Sequence, residues 1–205
     1  MKYIIFVSLS IFCFSACSEI GKSGDLPIYG LHYIEDGVEK IRKIPDFKFI
    51  NQLQDSISNA DFEGKIYVAD FFFTTCPTIC GKIKQQELRI AERFKNEKDF
   101  AILSHTIDPK HDTPSKLKTY ADKLEIDHSR WHFVNGPKEE IYEIDEAYLS
   151  IAMESEDAPG GFDHSNRVIL VDKDRQVRAH AIGTDPEDVD RFMDDIQRLL
   201  DEYKK

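Results

Sequence analysis

Cys76 and Cys80 flank Pro77-Thr78-Ile79 directly after a strongly apolar run, Val68-Ala69-Asp70-Phe71-Phe72-Phe73, and lead into a helix-forming stretch. Unpaired N–H groups and a partial positive charge collect at a helix start, so a thiol placed there loses its proton more easily. The thiolate is the form that attacks disulfides and binds metal ions. Spacing i to i+4 puts both sulfurs on one helix face, close enough to close a disulfide or to chelate one ion. A purely structural disulfide here would close a tiny loop and constrain little of the unfolded chain. Redox chemistry and metal binding both fit, and the spacing alone does not separate them.

His164 is the candidate third group. The chain has seven histidines, and six of them carry no distinguishing context. His164 follows the flexible Gly160-Gly161-Phe162-Asp163 and precedes the strand expected over Val168–Val171. A loop in that position can approach the cysteine-bearing helix start. Asp163 is a candidate to orient the imidazole or simply to make the turn. Two thiolates and one imidazole suit copper, with Zn²⁺ as the competing ion. Asp108, Asp112 and His111 follow another strand; Asp108 and Asp112 read equally well as strand-end or helix-start residues, and His111 is at most an auxiliary ligand.

The elements that must position these residues alternate strand and helix. Asp36-Gly37 marks the turn of an N-terminal hairpin within Leu31–Ile44. Strands are expected over 46–51, 65–73, 100–107, 131–134, 168–171 and 177–181. Helices are expected over 79–94, 114–124, 138–149 and 186–203, with Thr113-Pro114 as an N-cap followed by a first-position proline. Residues 155–162 read as a loop. The order is α/β and thioredoxin-like: a central mixed sheet flanked by helices, with the hairpin as an N-terminal extension.

The chain of 205 residues allows one domain beside a targeting segment. Lys2 and the apolar run 4–16 form a signal too short to span a bilayer as a helix. Phe14-Ser15-Ala16-Cys17 resembles a lipobox, although Phe14 stands where Leu is usual. The expected division is a signal peptide over 1–16, a tether over 17–30 beginning at a lipid-bearing Cys17, and one domain over 31–205. That places the protein outside the cytoplasm, anchored to a bacterial membrane, with its domain in the periplasm or on the cell surface. Cys13 then leaves with the signal and Cys17 carries lipid, so Cys76 and Cys80 are the remaining thiols. The formal charge of −11 argues against nucleic-acid binding.

Taken together, these residues resemble the Sco/SenC family. The resemblance runs in order through Ile44-Pro45-Asp46-Phe47, Ala69-Asp70-Phe71-Phe72-Phe73-Thr74, Cys76-Pro77-Thr78-Ile79-Cys80, Ile107-Asp108-Pro109, Asp112-Thr113-Pro114, Trp131-His132-Phe133 with Gly136, and Asp163-His164-Ser165. It departs at Gly81, where a second proline is common, at Lys110-His111 and at Phe162. It implies a thioredoxin fold and one copper ion, Cu(I) or Cu(II), held by Cys76, Cys80 and His164. It also implies delivery of copper to the dinuclear centre of a cytochrome c oxidase subunit, or reduction of that subunit's cysteines; another cuproprotein is a further candidate acceptor, and since a Cys76–Cys80 disulfide cannot supply thiolates, release is expected to be redox-gated. The alternative is a thiol-disulfide oxidoreductase, with Cys76 and Cys80 as its catalytic pair, acting on partner cysteines or served by a thiol reductant. A peroxidase reading lacks an arginine near the thiols to activate peroxide.

Overall fold

The computed structural model describes residues 25–204. The expected signal, the lipobox and Cys17 lie outside these residues. Strands β1 (His32–Glu35) and β2 (Val38–Ile41) form a separate antiparallel hairpin. Asp36 and Gly37 both take positive φ, as a two-residue turn requires. Both faces of the hairpin are largely exposed.

The main sheet begins with β3 (Lys48–Asn51), whose residues alternate exposed and buried, and β4 (Ser56–Ser58). Then β5 (Ile66–Phe72), α1 (Cys80–Arg93), β6 (Phe100–Thr106), α2 (Pro114–Lys123) and β7 (Trp131–Asn135) form two parallel crossovers. Both β5 and β6 are buried at every position, which explains their near-continuous apolar sequences. After α3 (Lys138–Ala147) comes a small antiparallel pair, β8 (Ala152–Glu154) and β9 (Phe162–His164). The chain ends with β10 (Arg167–Val171), β11 (Val177–Ile182) and α4 (Pro186–Glu202). The seven main strands lie in the order β11-β10-β5-β6-β7-β3-β4. The three central strands are parallel, and the outer ones run antiparallel to their neighbours.

Helix starts follow local chemistry. The Thr113 hydroxyl accepts from Lys116 N, and the Asp185 carboxylate accepts from Glu187 N and Asp188 N. The buried stripe of α1 is Cys80, Ile83, Lys84, Glu87 and Ile90, so two charged residues point inward, with Leu88 and Ala91 partly buried against the core. Gly136, just after β7, lies against Phe49; a Cβ there would sit 2.1 Å from the ring.

Two stretches differ from expectation. Residues 25–30, part of the segment read as a tether, pack on the domain. Leu26 is buried, its N–H donates to Glu202, and its carbonyl accepts from Arg178 at 2.6 Å. Tyr29 N donates to Val177 O. The loop read over 155–162 joins two short strands, β8 directly before it and β9, whose first residue is the last of the loop. Each of these strands has three residues, too few to produce a legible alternation.

Candidate metal centre

The cysteine loop leaves β5 through buried Phe73 and is tied at its start by Asp112. That fully buried carboxylate accepts from Thr74 N at 2.9 Å, from the Thr74 hydroxyl, and from Thr106 Oγ1 at 2.7 Å. Asp112 therefore fixes the loop to the end of β6. Cys76 N closes a turn on Phe73 O, and Cys80 begins α1 with only 2% of its surface exposed. Cys76 is partly exposed.

The β8–β9 hairpin brings His164 to the same point. Ala152 faces His164 across the pair. Gly160, at φ +82°, lets the hairpin turn lie against Phe73 and Pro77; a Cβ there would come within 2.8 Å of the Phe73 ring. Phe162 packs on Phe73 at 5.0 Å, and the His164 ring meets Phe73 edge-on at 5.8 Å. The Nδ1–H of His164 donates to the Ser165 carbonyl at 3.0 Å. That bond orients the ring and turns Nε2 toward the sulfurs, where it donates to the Cys76 thiolate or, once unprotonated, offers its lone pair to a metal. Nε2 lies 3.5 Å from Cys80 Sγ and 4.0 Å from Cys76 Sγ. The three donor atoms lie within 4.8 Å of one another and form the one group of three or more metal-ligating side chains found among the described residues. Metal bonds to sulfur and nitrogen are about 2.0–2.3 Å long, so donors this far apart can surround one ion with small side-chain rotations.

The two thiols differ in acidity. Burial alone would raise Cys76, but bonds from the Cys80 thiol, His164 and the N–H groups of Thr78 and Cys80 outweigh it and lower its pKa to about 6. Burial, reinforced by the neighbouring Cys76 sulfur, raises Cys80 well above the ordinary thiol range. At neutral pH the pair holds one proton, on Cys80.

Asp163 does not orient the imidazole. Alternation along β9 turns its side chain outward while Phe162 and His164 turn toward Phe73. The Ser165 carbonyl takes that role, and sequence carries no signal for a backbone acceptor. His111 stands apart from the cysteines, its Nδ1 2.9 Å from both carboxylate oxygens of Asp108. Phe73 and Gly160 were invisible as site residues because their contribution is shape. Gly160→Val is expected to strain the positive φ and push the hairpin off Phe73, lowering metal affinity about 10–100-fold, as loss of ligand orientation does. Metal titration of that variant beside the parent protein measures it.

A mixed sheet with two cysteines at the start of its first crossover helix and a histidine from a later hairpin defines a thioredoxin-fold protein with a Cys₂His donor set. The SCO1/SenC family model matches residues 35–201, and the chain belongs to that family. It is similar to a SCO1/SenC family lipoprotein of Bacillus anthracis (28% identity, 77% of this chain and 95% of that one, TM-score 0.71). It is also similar to BsSco, a member of the Sco family of cytochrome c oxidase assembly proteins in which a disulfide switch was identified (25%, 86% and 98%, TM-score 0.70). Arabidopsis thaliana ScoI, solved with copper bound, shares the fold (22%, 79% and 100%, TM-score 0.66).

Proposed function

We propose that this protein is a copper metallochaperone, with Cys76, Cys80 and His164 holding one copper ion. The observation that carries this reading is the Nε2 of His164 aimed at both sulfurs. A histidine serving only to acidify Cys76 would need no contact with Cys80. Thiolates favour Cu(I), and imidazole accepts both oxidation states, so the set suits an ion that changes valence. Metal binding releases the Cys80 proton. Oxidation of the pair to a disulfide removes both thiolates and with them the site, so thiol redox state gates loading and release. The acceptor is the dinuclear copper centre of a cytochrome c oxidase subunit or another cuproprotein, in keeping with the family. The domain works at a bacterial membrane surface, outside the cytoplasm, through lipid on Cys17. Similarity to a SCO1/SenC family lipoprotein supports this.

The second reading is a thiol-disulfide oxidoreductase, favoured by the asymmetry of the pair. Partly exposed, acidic Cys76 attacks a partner disulfide and displaces one partner thiolate. Buried Cys80, losing its proton, then displaces the other partner sulfur from Cys76. The Cys76–Cys80 disulfide forms and the partner gains two electrons.

Anaerobic titration of the reduced protein with Cu(I) and Cu(II), beside His164→Ala, separates the two. Binding of one ion that weakens at least about 10-fold in the variant is expected, with intense thiolate-to-Cu(II) charge-transfer absorption. Unchanged copper affinity in His164→Ala, together with fast disulfide reduction, would establish the oxidoreductase reading instead.

A further inference from the structure

Below the cysteines, α1 turns two charged residues into the core. Lys84 is 1% exposed, Glu87 0%, and Asp70 of β5, which faces them, 1%. Lys84 Nζ lies 2.6 Å from Asp70 Oδ2, 2.8 Å from Glu87 Oε2 and 2.9 Å from Ser104 Oγ, which also accepts from Trp131 Nε1 at 2.9 Å. The ammonium sits over the Phe72 ring at 4.4 Å. Two carboxylates against one ammonium would leave a net negative charge in an apolar core, at a cost of several kcal/mol.

The oxygens carry the clue. Asp70 Oδ1 and both oxygens of Glu87 are buried and lack a hydrogen-bond donor, although Glu87 Oε2 lies close to the ammonium. Both carboxyl groups close on the same ammonium, Asp70 Oδ2 at 2.6 Å and Glu87 Oε2 at 2.8 Å, which brings them side by side. Buried acceptors are almost always satisfied, and two acceptors facing one another are satisfied together by a single proton.

We propose that Glu87 is protonated and donates to Asp70, so that Asp70, Lys84 and Glu87 form a neutral clamp holding the cysteine helix against β5 and β6. Burial and the Asp70 charge both push Glu87 well above the usual carboxyl range, more than the ammonium pulls it down. Lys84, held by both carboxyls, is raised despite burial and stays charged. The other titratable groups near the clamp are His105 on β6, Tyr120 on α2 and Cys80 at the head of α1. The clamp explains why α1 keeps polar residues at core positions: Lys84 and Glu87 can satisfy Asp70 in one helix register, and a one-residue rotation would break every contact that Lys84 makes with Asp70 and Ser104. That register fixes where Cys80 stands above the sheet. The proposal concerns the metal-free fold and stands independently of copper.

Infrared difference spectroscopy of the reduced protein at pH 8 tests it. Asp145, raised to about 6, is ionised there, so a protonated-carboxyl C=O band reports the clamp. The wild type is expected to show this band, and Glu87→Gln to lose it. Asp70→Asn is expected to lose it as well, because Glu87 then ionises against Lys84. Glu87→Gln should also melt progressively higher than wild type as pH rises from 5 to 8, since only the unfolded wild type sheds the Glu87 proton in that range. His105 and Asp145 are common to both proteins and cancel in the difference. Absence of the band in the wild type, its survival in either variant, or a melting difference that does not grow with pH overturns the proposal.

Discussion

Cys76→Ser is expected to lower Cu(I) affinity by more than ~100-fold and, at pH 7, to slow alkylation by iodoacetamide on the order of 100-fold. Both effects follow from the division of labour in the pair. Cys76 is partly exposed, and its thiol is lowered to about 6, so at neutral pH it is mostly thiolate. Cys80 is 2% exposed and raised by burial, so it is nearly inert when alone. In the parent protein the alkylation rate should therefore rise with pH along a curve centred near 6, the value lowered by bonds to Cys80, His164 and two backbone N–H groups. In Cys80→Ser the copper site is lost as well, but rapid alkylation at Cys76 remains. Stopped-flow labelling of the two single variants, with Cu(I) competition against a chromophoric chelator, measures both. Equal labelling rates in the two variants would show that the pair lacks this asymmetry.

The parts of the molecule that local chemistry controls were legible in the sequence. The apolar run of β5 reads as a doubly buried strand because every residue is in fact buried. Thr113-Pro114 reads as a helix start because the hydroxyl and the fixed φ act within one turn. The cysteine pair was legible for the same reason, as was the Asp36-Gly37 turn. His164 stood out by its place after the Gly160-Gly161 loop, and the family resemblance sharpened it to a ligand, because what places it against the cysteines is tertiary. Gly160 against Pro77, and Phe162 against Phe73, join residues that are more than 80 positions apart. Three-residue strands whose register is set by such contacts leave no pattern of their own. The inward-facing Lys84 and Glu87 break the rule that charge marks the solvent side, so apolar spacing does not find them. Their positions, i and i+3 on the face of Cys80 and Ile83, make sense only once Asp70 is known to stand opposite. The two readings of Asp163 stayed open in the sequence because strand alternation applies to β9, and a loop would not have imposed it.

The same core holds a second buried polar group, and it governs acid stability. His105 on β6 is fully buried among Phe71, Phe49, Phe47 and Tyr148, stacked on Phe71 at 4.9 Å, and neither ring nitrogen has a side-chain or backbone partner that meets hydrogen-bond geometry. Burial lowers its pKa from 6.5 to about 4, with the Lys84 charge acting in the same direction and Asp70 opposing. The folded protein thus keeps His105 neutral, while the unfolded chain takes up a proton below about pH 6.5. Between those values the unfolded state binds more protons, so stability falls as pH drops, by about 3 kcal/mol across the whole interval. Glu87 and Asp145 are raised and work in the opposite direction, losing stability as pH rises. His105→Phe is expected to remove the acid-side loss of about 2 kcal/mol at pH 5 and the cost of the unpaired polar atoms, gaining about 3 kcal/mol over wild type there. It should gain about 1 kcal/mol at pH 7.5, where the remaining benefit is the removal of two unpaired polar atoms. If the larger ring overpacks the site, His105→Leu offers the same chemistry with less volume. Urea unfolding of both variants at the two pH values gives the comparison. Gains that are equal at pH 5 and pH 7.5 would mean that His105 does not titrate across this range and that another group sets the acid limit of the fold.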